Sequence, residues 1–305
     1  MANWGLAGIN TIVTKLHASP HPAIDPSNIH LPKPFIVCIV GASRGIGAGV
    51  ATSYAKAGAT GIILASRRIS GLEETAAACR EINPNVEIEI VACDITSSVS
   101  VAELAEKTKK RFNGRLDVVV VNSGFSGPIK LKITETDPET FQNAINVNYV
   151  GTFLCAKYLI PLLLATTNGA KSFVAVSSMA ALIIRGPIAN AQYTVSKAAQ
   201  LRLMECIHEQ YYEEGLSALS VHPGAVASEM VLESAPGFRE FLTDSADLCG
   251  AFCVWATGDE ERKRWMSGRL VSAKWDVEEL EGRKGEMVAG DLLKLRLAVP
   301  DAVAR

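Results

Sequence analysis

From residue 35 onward, apolar residues arrive in short unbroken runs. Each run ends in a polar or glycine-rich break and is followed by a longer stretch whose apolar positions recur every three or four residues. Six runs read as strands: 35–40, 61–66, 86–94, 116–122, 172–178 and 216–223. Several are continuous Val/Ile/Leu rather than alternating, the pattern of strands buried on both faces of a parallel sheet. Five stretches carry helical periodicity: 46–57, 71–82, 98–112, 141–165 and 193–214. Such alternation specifies a doubly wound α/β domain with right-handed crossovers. At about 150 residues per domain the chain has room for two. No internal repeat, low-complexity tract or linker interrupts the alternation, however, so a single domain accounts for 35 to about 273. Residues 1–34 read as an extension, a short amphipathic piece over 6–16 running into proline-rich stretches that break helix and strand alike. A second extension, 274–305, is rich in Glu, Lys and Leu. The mixed-sign cluster at 259–264 reads as a solvated helix face.

Composition adds exclusions. With 48% apolar and 20% charged residues the chain has ample core-forming material. Thirty basic against 32 acidic residues leave no broad field for nucleic acid or anionic lipid. Seven widely spaced cysteines, an odd number without a CxxC pair, fit neither a disulfide framework nor a zinc site. Cys249 and Cys253 stand four apart on a helix and could hold half a metal site. They lack a second pair and read as core, so no metal is expected. The N-terminal residues show no basic region followed by a compact apolar run, and no stretch approaches the 18 to 20 apolar residues, roughly, that span a bilayer. A cytoplasmic location is the expectation.

The candidate chemistry starts where the first strand stops. GASRGIG places Gly41, Gly45 and Gly47 at the mouth of a helix, with Ser43, Arg44 and Ile46 between or beside them. Such a loop turns sharply off the strand and lets backbone amides and the positive helix end approach a pyrophosphate. At the end of the second strand, where a carboxylate would bind the ribose hydroxyls of NAD, stand Ser66, Arg67 and Arg68. A guanidinium there clamps a 2′-phosphate that a carboxylate would repel, and Arg44 is placed to reach the same group. The cofactor reading is therefore NADP(H). Asp94 and Ile95 after the third strand, and Asn122 and Gly124 after the fourth, fall along the edge where adenine and ribose would lie.

Tyr193 and Lys197, four apart at the start of a helix, project from one face. An ammonium beside a phenol favours the phenolate and brings its proton within reach at neutral pH. The preceding strand ends in Ser177 and Ser178, hydroxyls able to hold a carbonyl or alkoxide oxygen.

Together GASRGIG, Asn122-Ser123-Gly124, Asn148, Ser178, Tyr193 with Lys197, and His222-Pro223-Gly224 resemble, in order, the motifs of the short-chain dehydrogenases/reductases (SDR). The resemblance covers 35 to about 273. It implies a single Rossmann-fold domain with a mainly parallel seven-stranded sheet and helices on both faces. It also implies Tyr193 as general acid or base, Lys197 lowering its pKa and holding the nicotinamide ribose, Ser178 orienting the substrate oxygen and Asn148 positioning a water in a proton relay. Pro223, Gly224, Val226 and Ser228 would border the nicotinamide. Departures are Val40 for the usual Thr, Ser123 for Ala, Ser228 for Thr, and about two extra residues between Ser178 and Tyr193, around 183–187, which leave Ser177 as a competing serine. Met230, Val231, Leu232 and Phe238 read either as an apolar lid over a medium-sized hydrophobic ketone or alcohol or as an ordinary surface helix. The tail resembles fungal members acting in secondary-metabolite pathways on terpenoid or polyketide substrates. A homodimer or homotetramer through 141–165 and 193–214 is implied by the family. Rival readings are an epimerase, dehydratase or cyclase on the same scaffold, and a non-catalytic NADP-binding regulator.

Overall fold

The structure, a computed structural model, describes residues 12–259 and 263–297, without the side chains of Pro236 and Phe238. The start of the amphipathic piece, residues 260–262 of the charged cluster and the Phe238 side chain named above lie outside the described residues. Seven parallel strands form one sheet in the order β3-β2-β1-β4-β5-β6-β7. They are β1 (Ile36–Val40), β2 (Gly61–Ser66), β3 (Glu87–Ala92), β4 (Val118–Val121), β5 (Ser172–Val176), β6 (Ser217–His222) and β7 (Leu270–Ser272). The strand order reverses between β1 and β4, which opens a crevice at their carboxyl ends.

Apolar runs make the central strands because both faces are covered. On one side α1 (Gly45–Lys56), α2 (Ile69–Ile82) and α8 (Ala246–Gly258) bury Val50, Leu72 and Phe252. On the other, α3 (Ser98–Arg111), α5 (Gly151–Ala165) and α6 (Ala191–Tyr211) bury Leu104, Leu159 and Met204. Cys249 and Cys253 are buried in α8 as core residues.

The stretch expected as one helix over 141–165 is three pieces: α4 (Pro138–Ile145), a π turn (Asn146–Val150) and α5. The run Pro138–Ala165 is, by length and composition, long and apolar enough to cross a membrane, which corrects the expectation drawn from unbroken apolar stretches. Half of its most apolar window is buried inside the domain, as in a core helix.

Both sheet edges are guarded. Glu87 and Glu89 on β3 pair with Arg111. On β7, the Leu270 amide donates to the Leu293 carbonyl at 2.9 Å, so the C-terminal segment covers the strand. The N-terminal segment is built in as well: Val13, Ile24 and Leu31 are buried. Thr14 and Lys15 donate to Glu279, Leu16 bridges to Trp275, and His17 Nε2 lies 2.9 Å from Asp276 Oδ2. His17 and His21 stack with ring centroids 3.8 Å apart and nearly parallel planes. One ligand atom from each of His17, His21 and Asp276 lies within 4.8 Å of the others. Through Thr14, Lys15 and His17 the segment forms a hydrogen-bonded clasp to Asp276 and Glu279, while His21 Nε2 is buried without a hydrogen-bond partner.

Candidate active site

The crevice is framed by the first loop. Gly41 sits at φ +96°, and a Cβ there would lie 2.6 Å from the Ser123 amide nitrogen. Any side chain on Gly47 would strike the Gly41 carbonyl. That carbonyl accepts from Asn122 Nδ2 at 2.8 Å, so the end of β4 braces the loop. Arg44, the N-cap of α1, provides no side-chain cap, which leaves the first amides of the helix available to an anion. Ile46 packs half-buried on the core.

Around the rim, Ser66 Oγ donates to the Arg68 carbonyl, and Arg68 donates to the Ser43 carbonyl at 3.2 Å. Arg67 is exposed and in no ion pair among the described residues, and no acid ends β2. These features fit a phosphorylated ribose. Arg44 is instead paired with Glu229 of α7 (Glu229–Ser234), which Ser228 caps. Asp94 turns onto the Thr96 amide and hydroxyl, and the amide's hydrogen bond is the main cause holding its carboxyl below the ordinary carboxylate value. Ile95 and Val226 are buried, and the Val226 carbonyl accepts from the Ser228 amide at 2.7 Å. Asp244 holds the turn after Pro223 and Gly224, accepting from the Ala225 amide and from Lys274 Nζ, each at 2.6 Å. A side chain at Gly124 would meet Asn148 Oδ1 at 3.6 Å and Met230 Sδ at 3.8 Å, so α7 lies across the crevice.

On the floor, Tyr193 and Lys197 lie on one face of α6, and the two serines differ in their surroundings. Ser177 is 2% exposed, its hydroxyl buried without a partner, whereas Ser178 starts a 3-10 turn (Met179–Leu182) and its hydroxyl reaches the Tyr193 phenol. The residues around 183–187 follow that turn and carry Ile184 into solvent, 80% exposed.

Asn148, 0% exposed, sits in the π turn, a feature frequent at functional sites. Its Oδ1 accepts from the Phe125 amide at 2.8 Å. Its Nδ2 donates to the Phe125 carbonyl at 2.7 Å and to Ser196 Oγ at 2.9 Å. The side chain thus ties the loop after β4 to α6.

Burial pushes the Tyr193 phenol above its ordinary value, and the Ser178 hydrogen bond pulls the other way. Burial also pushes Lys197 down to about 7. The lowering of Tyr193 expected from the lysine is not among the causes acting on it in the protein alone: Lys197 Nζ, 5.9 Å from the Tyr193 ring centroid, is held by the Val176 carbonyl and Gln200. Gln200, Thr152 and Asp244 escaped the sequence reading. For Gln200 a signal existed, since it stands three residues after Lys197 and so shares its helix face.

A family model described as short chain dehydrogenase matches residues 35–237. The chain is 36% identical to the short chain dehydrogenase pgmD of Aspergillus terreus over 98% of this chain and 96% of that protein. It is 35% identical to the short chain dehydrogenase mpl6 of Monascus purpureus over 95% of this chain and 97% of that protein. Among solved structures, a short chain dehydrogenase of Escherichia coli CFT073 complexed with NADPH superposes with a TM-score of 0.70 at 27% identity, covering 81% of this chain and 98% of that one.

Proposed function

Since the chain belongs to the short-chain dehydrogenase family, we propose that this oxidoreductase uses NADP(H) to interconvert a ketone and a secondary alcohol, with Tyr193 as general acid or base. One observation carries the reading. The Tyr193 phenol meets the Ser178 hydroxyl on the floor of the crevice, and Lys197 stands buried one turn further along the same helix.

The nicotinamide, when bound, supplies or accepts the hydride. Gly41, Ser43, Gly45 and Gly47 would cradle the pyrophosphate on the uncapped amides of α1, with Arg67, joined by Arg44 once it leaves Glu229, on the 2′-phosphate. The NADPH bound by the E. coli relative supports that choice. Ser178 donates its hydroxyl to the substrate oxygen, and Tyr193 gives that oxygen a proton in reduction or removes one in oxidation. The third N–H of Lys197 is left for the ribose, since the other two go to Val176 and Gln200. Asn148 fixes the spacing of floor and loop.

Half-buried Met230, Val231 and Leu232 with exposed Leu131, Ile184 and Phe241 suit a medium-sized apolar substrate of the terpenoid or polyketide kind. Exposed Tyr149 and Phe153, with Val195 on α6, suit a second copy of the chain. Residues 35–273 would act as the catalytic domain, in the cytoplasm.

The test follows nicotinamide absorbance across a panel of apolar ketones and alcohols with each cofactor. Tyr193→Phe should lower turnover about a thousandfold while NADPH binding persists; full turnover in that variant would refute the assignment.

A further inference from the structure

Beneath Tyr193 lies a buried polar chain. Lys197 Nζ donates to the Val176 carbonyl at 2.9 Å and to Gln200 Oε1 at 3.1 Å. Gln200 Nε2 donates to Thr152 Oγ1 at 2.8 Å, and that hydroxyl donates to the Asn148 carbonyl at 2.8 Å. Lys197 is 2% exposed, and Gln200 and Thr152 are 0% exposed. Every donor points away from the lysine. Because its nitrogen is engaged by Thr152, the Gln200 amide must turn its oxygen to the ammonium.

We propose that Gln200 is a positioning residue, whose side-chain oxygen, locked by Thr152, keeps the Lys197 ammonium charged and in register with Tyr193. The proposal rests on the reading that Tyr193 and Lys197 carry the reaction. Its physical basis is the absence of a counter-ion. A buried ammonium without an anion must recover its lost hydration from neutral acceptors, and each one removed favours the uncharged amine.

The titratable groups on α6 and the elements packed around Lys197 include Tyr193, Arg202, Glu205 and His208 on α6, Glu139 on α4, Cys155 and Lys157 on α5, Tyr149 in the π turn and His222 at the end of β6, which burial pushes down to about 4. Among the described residues no carboxylate and no second cation shifts Lys197, and burial alone lowers it. The amide also ends the chain as a proton path, since an amide N–H does not give up its proton near neutral pH. Lys197 and the Asn148 carbonyl are linked by a strut.

The experiment titrates the full chain, without cofactor, carrying ¹³C at the lysine ε carbons and followed by NMR. The Lys197 signal is assigned by its loss in Lys197→Met. Gln200→Met should make the ammonium about tenfold more acidic, a midpoint lower by about one pH unit, and Gln200→Glu should move it upward by at least as much. The pH profile of kcat should follow the midpoint, with KM for the ketone unchanged. If Gln200→Met does not fold, Thr152→Val, which releases the amide nitrogen, should give a smaller downward shift. Equal midpoints in wild type and variants overturn the proposal. A chain whose turnover depends on Tyr193 but whose midpoint ignores Gln200 retains the proposed activity and loses the positioning role. A midpoint that moves in a chain inactive on every ketone and alcohol upholds the hold on Lys197 and overturns the reaction.

Discussion

The floor of the crevice and its rim are held by different means. On the floor, Asn148, Ser196, Lys197 and Gln200 are at most 2% exposed and are joined by hydrogen bonds between the π turn, β5 and α6. At the rim, Arg44 and Glu229 are about half exposed, at 47% and 49%, and α7 is a single short helix. Groups that must meet a reacting atom to within a fraction of an ångström sit on long elements with fixed rotamers. Groups that choose the partner sit on turns and short helices that can exchange contacts. Changes on the floor should cost turnover, and changes at the rim should redirect preference.

The largest effect that separates the two is the thousandfold loss expected in Tyr193→Phe; a comparable loss from any single rim variant would erase the distinction. Next comes a pH effect confined to the floor. Folded Lys197 titrates at about 7 against an ordinary value of 10.5, so between those values the unfolded chain binds the additional proton. Stability should therefore rise with pH across that window, by at most about 1.4 kcal/mol per pH unit, and level off below it. Urea midpoints measured from neutral to moderately alkaline pH should show the rise in wild type and lose it in Lys197→Met.

At the rim, Arg67→Asp should lower the NADP(H) over NAD(H) preference in kcat/KM by about tenfold to a hundredfold, from the loss of one charge-assisted contact and a new repulsion. An unchanged ratio would remove Arg67 from the cofactor site. The smallest effect is expected from Glu229→Gln. With Arg44 freed from its partner, NADPH should bind about twofold to fivefold tighter at low salt, a gain that fades as salt screens the exposed pair. Calorimetry at two ionic strengths checks both statements, and weaker binding would show that Glu229 supports the site instead of competing for it.

The parts legible in the sequence are those fixed by local pattern. Unbroken Val/Ile runs gave β1, β4 and the neighbouring strands, because a strand buried on both faces admits nothing else. Tyr193 and Lys197 could be paired because helix geometry fixes which residues share a face. The break at Asn146–Val150 was not legible, since one wider turn leaves the apolar period nearly intact. Nor could spacing tell Ser177 from Ser178, whose hydroxyls differ in that one is buried without a partner and the other meets Tyr193 as the strand ends. β7 is three residues long, too short for a pattern to register. Arg44 was read from its locus alone, and only the fold brings Glu229 against it. The N-terminal segment looked detached because its partners lie far along the chain.

That last separation has a consequence in time. Thr14 finds Glu279 across 265 positions of sequence. At a synthesis rate of roughly 5 to 20 residues per second, the early segment waits about 15 to 50 seconds for its partner to be made. Throughout that interval Val13 lacks cover that depends on residues still to be made, and the clasp at Asp276 and Glu279 is among the last contacts a newborn chain can form.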